Sequence, residues 1–211
     1  MYIIGLSKIY AVLNCVLQVG ILLFYFYKTK RINYIHLLII GLQISSEFLL
    51  TLQPADSAVL IMLFRSISYL LLFYFLYQNH KSFNYNIWDL KILGLSIILY
   101  TFIFVFTIYV FQELANRDLW SILLNLSLLY VLLIITGMHY INIRSVKSLY
   151  FFLATLYFTI DNFAFILDHF YNPLIELQII HLFCQPFGLL LLVNYLIYKY
   201  EFLKAEEFEG F

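Results

Sequence analysis

The sequence predicts an all-α protein: a polytopic membrane bundle of seven transmembrane helices, N-terminus outside and C-terminus cytoplasmic. Three observations carry that prediction. Seven apolar stretches follow one another with short polar joints, each near the roughly 20 residues a helix needs to cross a hydrocarbon core about 30 Å thick. Hydrophobic residues make up 64% of the chain and charged residues 11%, with a mean hydropathy of +0.92; a water-soluble domain would carry about twice that charge. The basic residues also fall unequally on alternate joints. A closed β-barrel would show alternating segments, whereas runs such as Leu70 to Leu76 are solidly apolar, so helices satisfy the backbone instead.

The spans are expected at about 3–27, 34–53, 57–78, 90–112, 119–142, 148–170 and 174–198. The first is too long for a secretory signal and has no small-residue cleavage site, so it reads as a retained helix. The second lies between the basic joint Lys28-Lys30-Arg31 and Pro54, and the third holds the solid run just quoted. Trp88 opens the fourth, while Trp120 and Tyr140 flank the fifth; amphipathic rings suit the headgroup layer. The sixth is bounded by Lys147 and Pro173. Pro186 interrupts the seventh and is expected to kink it. Residues 1–200 form one transmembrane domain, and 201–211, with Glu206, Glu207 and Glu209, a short cytoplasmic tail.

Orientation follows from the joints. Lys28, Lys30, Arg31, Lys81, Lys91, Arg144, Lys147, Lys199 and Lys204 lie on one side, nine against Lys8 and Arg117 on the other. Positive charge stays cytoplasmic. A net charge of zero gives no electrostatic case for a nucleic-acid partner. Cys15 and Cys184 fall mid-span without a CxxC or companion histidine and read as small apolar fillers. The richness in Tyr, Asn, Ile and Lys suits a low-GC bacterial genome, hence a bacterial inner membrane.

Ionisable groups at membrane depth are expensive and are candidates for function. Glu47 lies about six residues from the outer end of its span, Arg65 about eight, and Asp161 and Asn162 about nine. His181 and Gln185 enter from the outer end of the seventh span, Lys8 and Asn14 from that of the first. At 1.5 Å per residue all reach the outer half or the midplane, where they are expected to share one polar pocket. A structural alternative stands beside this: Glu47 and Arg65, on adjacent antiparallel helices, would neutralise each other as a buried pair. Ser45, Ser46, Ser66 and Ser68 read as helix-contact residues rather than nucleophiles. His36 and His139 read as interfacial. His181 reads as a hydrogen-bonded pocket histidine, since no HxxxH or HExxH spacing supports a metal. No metal or cofactor is called for. Two carboxylates in one low-dielectric cleft suit acid–base hydrolysis, with Asp161 the protonated acid and Glu47, beside Arg65, the ionised partner.

The stretch Leu129 to Met138, followed by Phe158-Thr159-Ile160-Asp161-Asn162-Phe163-Ala164-Phe165-Ile166-Leu167-Asp168-His169-Phe170, resembles the YhhN-like lysoplasmalogenase family, whose members show a Tyr…Met helix and then F-x-x-S-D-x-x-L-A-x-x-K-F. Ser46-Glu47-Phe48-Leu49-Leu50 is similar to the family's Gly-Asp helix, Asn194-Tyr195-Leu196-Ile197 to its closing Gln-x-Leu-Ile, and Lys8 to its Lys-Pro. The resemblance runs in order over most of the chain, but its motifs are short and apolar. Members usually carry eight spans; this chain would lack the first. It departs in three places. Asp161-Asn162 replaces Ser-Asp, so the carboxylate comes one residue early, a rotation of about 100°. Ser46-Glu47 keeps a carboxylate but adds a methylene. The family's histidine falls at Ser68.

The resemblance implies hydrolysis of the vinyl-ether bond of a lysoplasmalogen by Glu47 and Asp161, with Lys8, Asn14, Arg65, Ser68, Asn162, His181, Gln185 and Asn194 around the substrate. The expected partner is a membrane lipid, with a lysophospholipid-like molecule as substrate. The alternative is a non-catalytic lipid- or partner-binding relative that has lost the catalytic residues. A transporter fits less well, because neither inverted repeats nor paired broken helices appear.

Overall fold

A computed structural model describes residues 2–30, 33–52, 58–78, 86–111, 119–170 and 174–209. They form seven helices: α1 (Tyr2–Thr29), α2 (Tyr34–Leu52), α3 (Ala58–Gln78), α4 (Ile87–Phe111), α5 (Leu119–Ile143), α6 (Val146–Phe170) and α7 (Ile175–Glu209). Each apolar stretch is one helix. Five are long and apolar enough to cross a membrane, whereas α2 and α3 offer shorter apolar segments. Pro54, Pro173, Arg31, Lys81 and Arg117 lie outside the described residues, as do residues 210–211.

The helix ends follow local chemistry. Lys30 and Arg144 adopt left-handed backbone, φ 52° and 51°, just past α1 and α5. Their amides return to Phe26 O at 3.1 Å and Tyr140 O at 2.8 Å, stopping each helix. Asn33 Oδ1 accepts the Ile35 amide at 3.1 Å at the start of α2. Ser145 and Ser148 cap α6 reciprocally: the Ser148 amide donates to Ser145 Oγ at 3.1 Å and the Ser145 amide to Ser148 Oγ at 3.2 Å, a capping box built from two serines. α7 includes Pro186 and continues to Glu209, so residues 201–209 are helical.

Six helices close a circuit, α1 on α2, α2 on α3, α3 on α5, α5 on α6, α6 on α7 and α7 back on α1. α4 stands outside it against α5, where Tyr130 donates to Ile97 O at 3.1 Å and its hydroxyl lies 2.9 Å from Thr101 Oγ1. The interior has two apolar clusters. One gathers Tyr25, Ile39, Ile40, Tyr69, Leu72, Phe158 and Leu189, among others; the other gathers Ile61, Met62, Ile122, Leu126, Phe165 and Ile166. Along α3 the order is Ile61-Met62, then Arg65, then Tyr69 and Leu72. Along α6 it is Phe158, then Asp161-Asn162, then Phe165-Ile166. The charged residues therefore lie in a layer between two greasy ones.

Candidate functional site

Glu47, Arg65, Asp161 and His181 come from α2, α3, α6 and α7 and meet in the middle of the circuit. Arg65 Nη2 lies 2.5 Å from Glu47 Oε1 and Nη1 lies 3.1 Å from Asp161 Oδ2. His181 Nε2 lies 2.9 Å from Glu47 Oε2 and Nδ1 lies 2.5 Å from Asp161 Oδ1. The four side chains make a closed ring: each carboxylate touches both basic groups, one oxygen to each. Both imidazole contacts are hydrogen bonds when His181 carries both of its protons, and two cations then balance two anions. The Arg65–Asp161 contact is ionic rather than well aligned, because Asp161 Oδ2 has no hydrogen-bond partner.

Further side chains fix this ring. Asn14 on α1 donates to Glu47 Oε2 at 3.0 Å. Arg65 donates through Nη1 to Asn162 Oδ1 at 3.2 Å and through Nε to Ser46 Oγ at 3.4 Å. Its guanidinium also lies 5.0 Å from the centre of the Phe165 ring. Asn162 donates to the Tyr69 hydroxyl and to Phe158 O, both at 2.8 Å. Exposure separates the members. The side chains of Arg65, Glu47 and Asp161 are 0–1% exposed, while that of His181 is 14% exposed. His181 is the ring's outward face.

The structure brings together Glu47, Arg65, Asp161, Asn162, His181 and Asn14, as the sequence suggested. The one-residue displacement of the carboxylate costs no contact: Asp161 and Asn162 both point inward, each to Arg65. The imidazole of the ring is that of His181 on α7. Other expectations fail. Arg65 reaches Asp161 as well as Glu47, so Asp161 is not set among apolar rings alone. The four charged groups touch one another directly. Ser68 and Gln185 lie one turn away, where Gln43 Nε2 donates to Ser68 Oγ and Gln185 Nε2 to Gln43 Oε1, both at 3.0 Å. Asn194 is thirteen residues beyond His181 on the same helix, about 20 Å along its axis, and donates to Leu190 O at 3.0 Å. The side chain of Lys8 lies outside the described residues. Ser45 is exposed rather than a helix contact, and His36, near the start of α2, is buried against Tyr25, 2.8 Å from its hydroxyl.

Sequence reading missed Gln18, Gln43, Tyr69 and Asn125. The first three repeat a polar position at i±4 from Asn14, Glu47 and Arg65, a same-face signal that was available. Asn125 on α5 donates to Met62 O at 3.3 Å and Ser66 Oγ at 3.2 Å, tying α5 to α3. Comparisons with protein-family models, with curated proteins and with solved structures find no match to this chain.

Proposed function

We propose that this is a seven-span membrane lipid hydrolase of the lysoplasmalogenase type, N-terminus outside, in a bacterial inner membrane. The observation that carries the reading is one imidazole, reaching the surface, backed on both nitrogens by buried carboxylates. Vinyl-ether hydrolysis needs a positioned acid. Both ring nitrogens of His181 are engaged by carboxylates, so one of these contacts opens as substrate enters; the freed N–H then gives its proton to the β-carbon of the alkenyl chain, and the double-bond electrons form that C–H bond, leaving an oxocarbenium ion. Water adds to the cationic carbon and returns a proton to the imidazole. The hemiacetal then expels the glycerol oxygen as an alcohol and releases a fatty aldehyde. Asp161 and Glu47 act through His181: they orient the ring, and their negative charge favours the cation that forms beside it. Arg65 in turn holds both carboxylates.

The test is aldehyde release from lysoplasmalogen by the purified protein in detergent, compared with His181→Gln. No release from well-folded wild type retires the hydrolase. A second reading rests on the closure of the ring, in which every charge already has its partner. There the ring is a structural lock in a non-catalytic protein that binds a lipid or another membrane protein. Orientation is tested separately. A fluorescent protein fused after Phe211 should mature in the cytoplasm, and alkaline phosphatase fused there should stay inactive.

A further inference from the structure

The two carboxylates of the charge ring do not depend equally on His181. The imidazole lies between Asp161 on α6 and Glu47 on α2, one ring nitrogen to each. Holding both takes an N–H on each nitrogen, whereas a neutral imidazole has one N–H and one lone pair. Loss of a proton therefore sets a lone pair against carboxylate oxygen at one of the two contacts. Glu47 has other donors: Arg65 on Oε1 and Asn14 on Oε2. Asp161 has fewer, because Oδ2 lacks a hydrogen bond and Oδ1 has the imidazole. The remaining proton belongs with Asp161, and Glu47 is released.

Helix packing points the same way. α6 and α7 are fastened at several levels: Phe158 lies close over Gly188, the Tyr157 and Phe187 rings stack, and Gln178 donates to Asp168 at 3.4 Å. α2 and α7 meet over a short stretch, where the His181–Glu47 contact and, one turn away, the Gln185–Gln43 bond cross between them. Around the imidazole, α3 presents Arg65, which stays charged, and α6 presents Asp161, with Asp168 and His169 about two turns outward. α1 presents the neutral Asn14, and Glu176 and Cys184 are the titratable neighbours on α7 itself. Of the four ring members, His181 alone ordinarily changes charge near neutral pH, and it is the exposed one. We propose that His181 is a proton-operated latch: protonated, it holds α2 to α7; deprotonated, it stays on Asp161 and lets the α2 side open. The latch is independent of whether the charge ring hydrolyses lipid.

The experiment measures two spin-label distances by pulsed electron paramagnetic resonance on the purified full chain in detergent, with Cys15→Ala and Cys184→Ala removing the native thiols. Labels on Phe48→Cys and Phe183→Cys span α2 and α7; labels on Ile160→Cys and Phe183→Cys span α6 and α7. All three positions are exposed. Between about pH 5 and about pH 11, the α2–α7 distance should lengthen by about 1–2 Å or more along a single titration, while the α6–α7 distance stays fixed. Adding His181→Gln should abolish that titration. An α2–α7 distance that does not change with pH overturns the proposal, and so does widening of both pairs together. A titration that the folded His181→Gln protein retains belongs to another group and overturns it as well. Should His181→Gln fail to fold, the two distances measured with His181 in place decide alone.

Discussion

Arg65 and His181 grip the same two carboxylates, and neither Glu47 nor Asp161 gives both its oxygens to one of them. The ring joins α2, α3, α6 and α7, so it fixes their relative depth as well as their contact. A buried ion pair adds little net stability over apolar packing. Breaking one is another matter, because the partner left behind is charged and out of water.

Arg65→Leu leaves Glu47 and Asp161 facing each other with only His181 between them. The expected loss is about 3–5 kcal/mol, read as a fall in unfolding midpoint in detergent. Arg65→Lys should recover only part of it. An ammonium is a point charge and cannot reproduce the planar fork that reaches Glu47, Asp161 and Asn162 at once. Equal stability of Arg65→Lys and wild type would show that the fork geometry is immaterial.

Glu47→Gln and Asp161→Asn are expected to be strongly non-additive. Either one alone leaves Arg65 one anion to pair with, whereas the second leaves the buried guanidinium with none. A coupling of about 0.5–3 kcal/mol is typical of residues in one network. A double-mutant cycle on unfolding free energies measures it; a coupling of zero would mean that the two carboxylates do not feel each other through the shared bases.

Much of this architecture can be read from hydropathy. A helix of about 20 apolar residues between polar joints has few other ways to be stable, and the observed ends depart little from those expected, except where α7 carries on to Glu209. The depth of the charged residues was legible for the same reason, since rise per residue is fixed. Their azimuth was not. Which face of α6 turns inward depends on its packing against α5 and α7, so the sequence could not tell that Asp161 and Asn162 both serve Arg65. Nor could it tell that His181 would bridge both carboxylates, its contact with Glu47 spanning a separation of 134 residues.

His181→Gln should leave the fold largely intact, because an amide can still meet one carboxylate, while lowering aldehyde release by about 10²–10⁴ if the imidazole is the acid. The melting curve and the rate must be read together. A rate that falls only as far as the folded fraction falls would assign His181 to structure alone.

Tight packing between α6 and α7 rests on Gly188. A methyl group placed there would stand 3.0 Å from two atoms of the Phe158 ring and 3.2 Å from the Tyr157 Cβ. Phe158 is fully buried and its carbonyl accepts from Asn162, so it cannot swing away without disturbing the residue that positions Arg65. Small residues let membrane helices approach closely, and Gly188→Ala is expected to cost about 1–3 kcal/mol from overpacking. Gly20 on α1 is the internal control, since a methyl group there would have nothing within 4 Å. Gly20→Ala should be neutral, or stabilise the helix by up to about 1 kcal/mol. Unfolding midpoints of the two variants, measured side by side, check the closeness of α6 and α7; equal midpoints would mean that the two helices leave room for a methyl group between them.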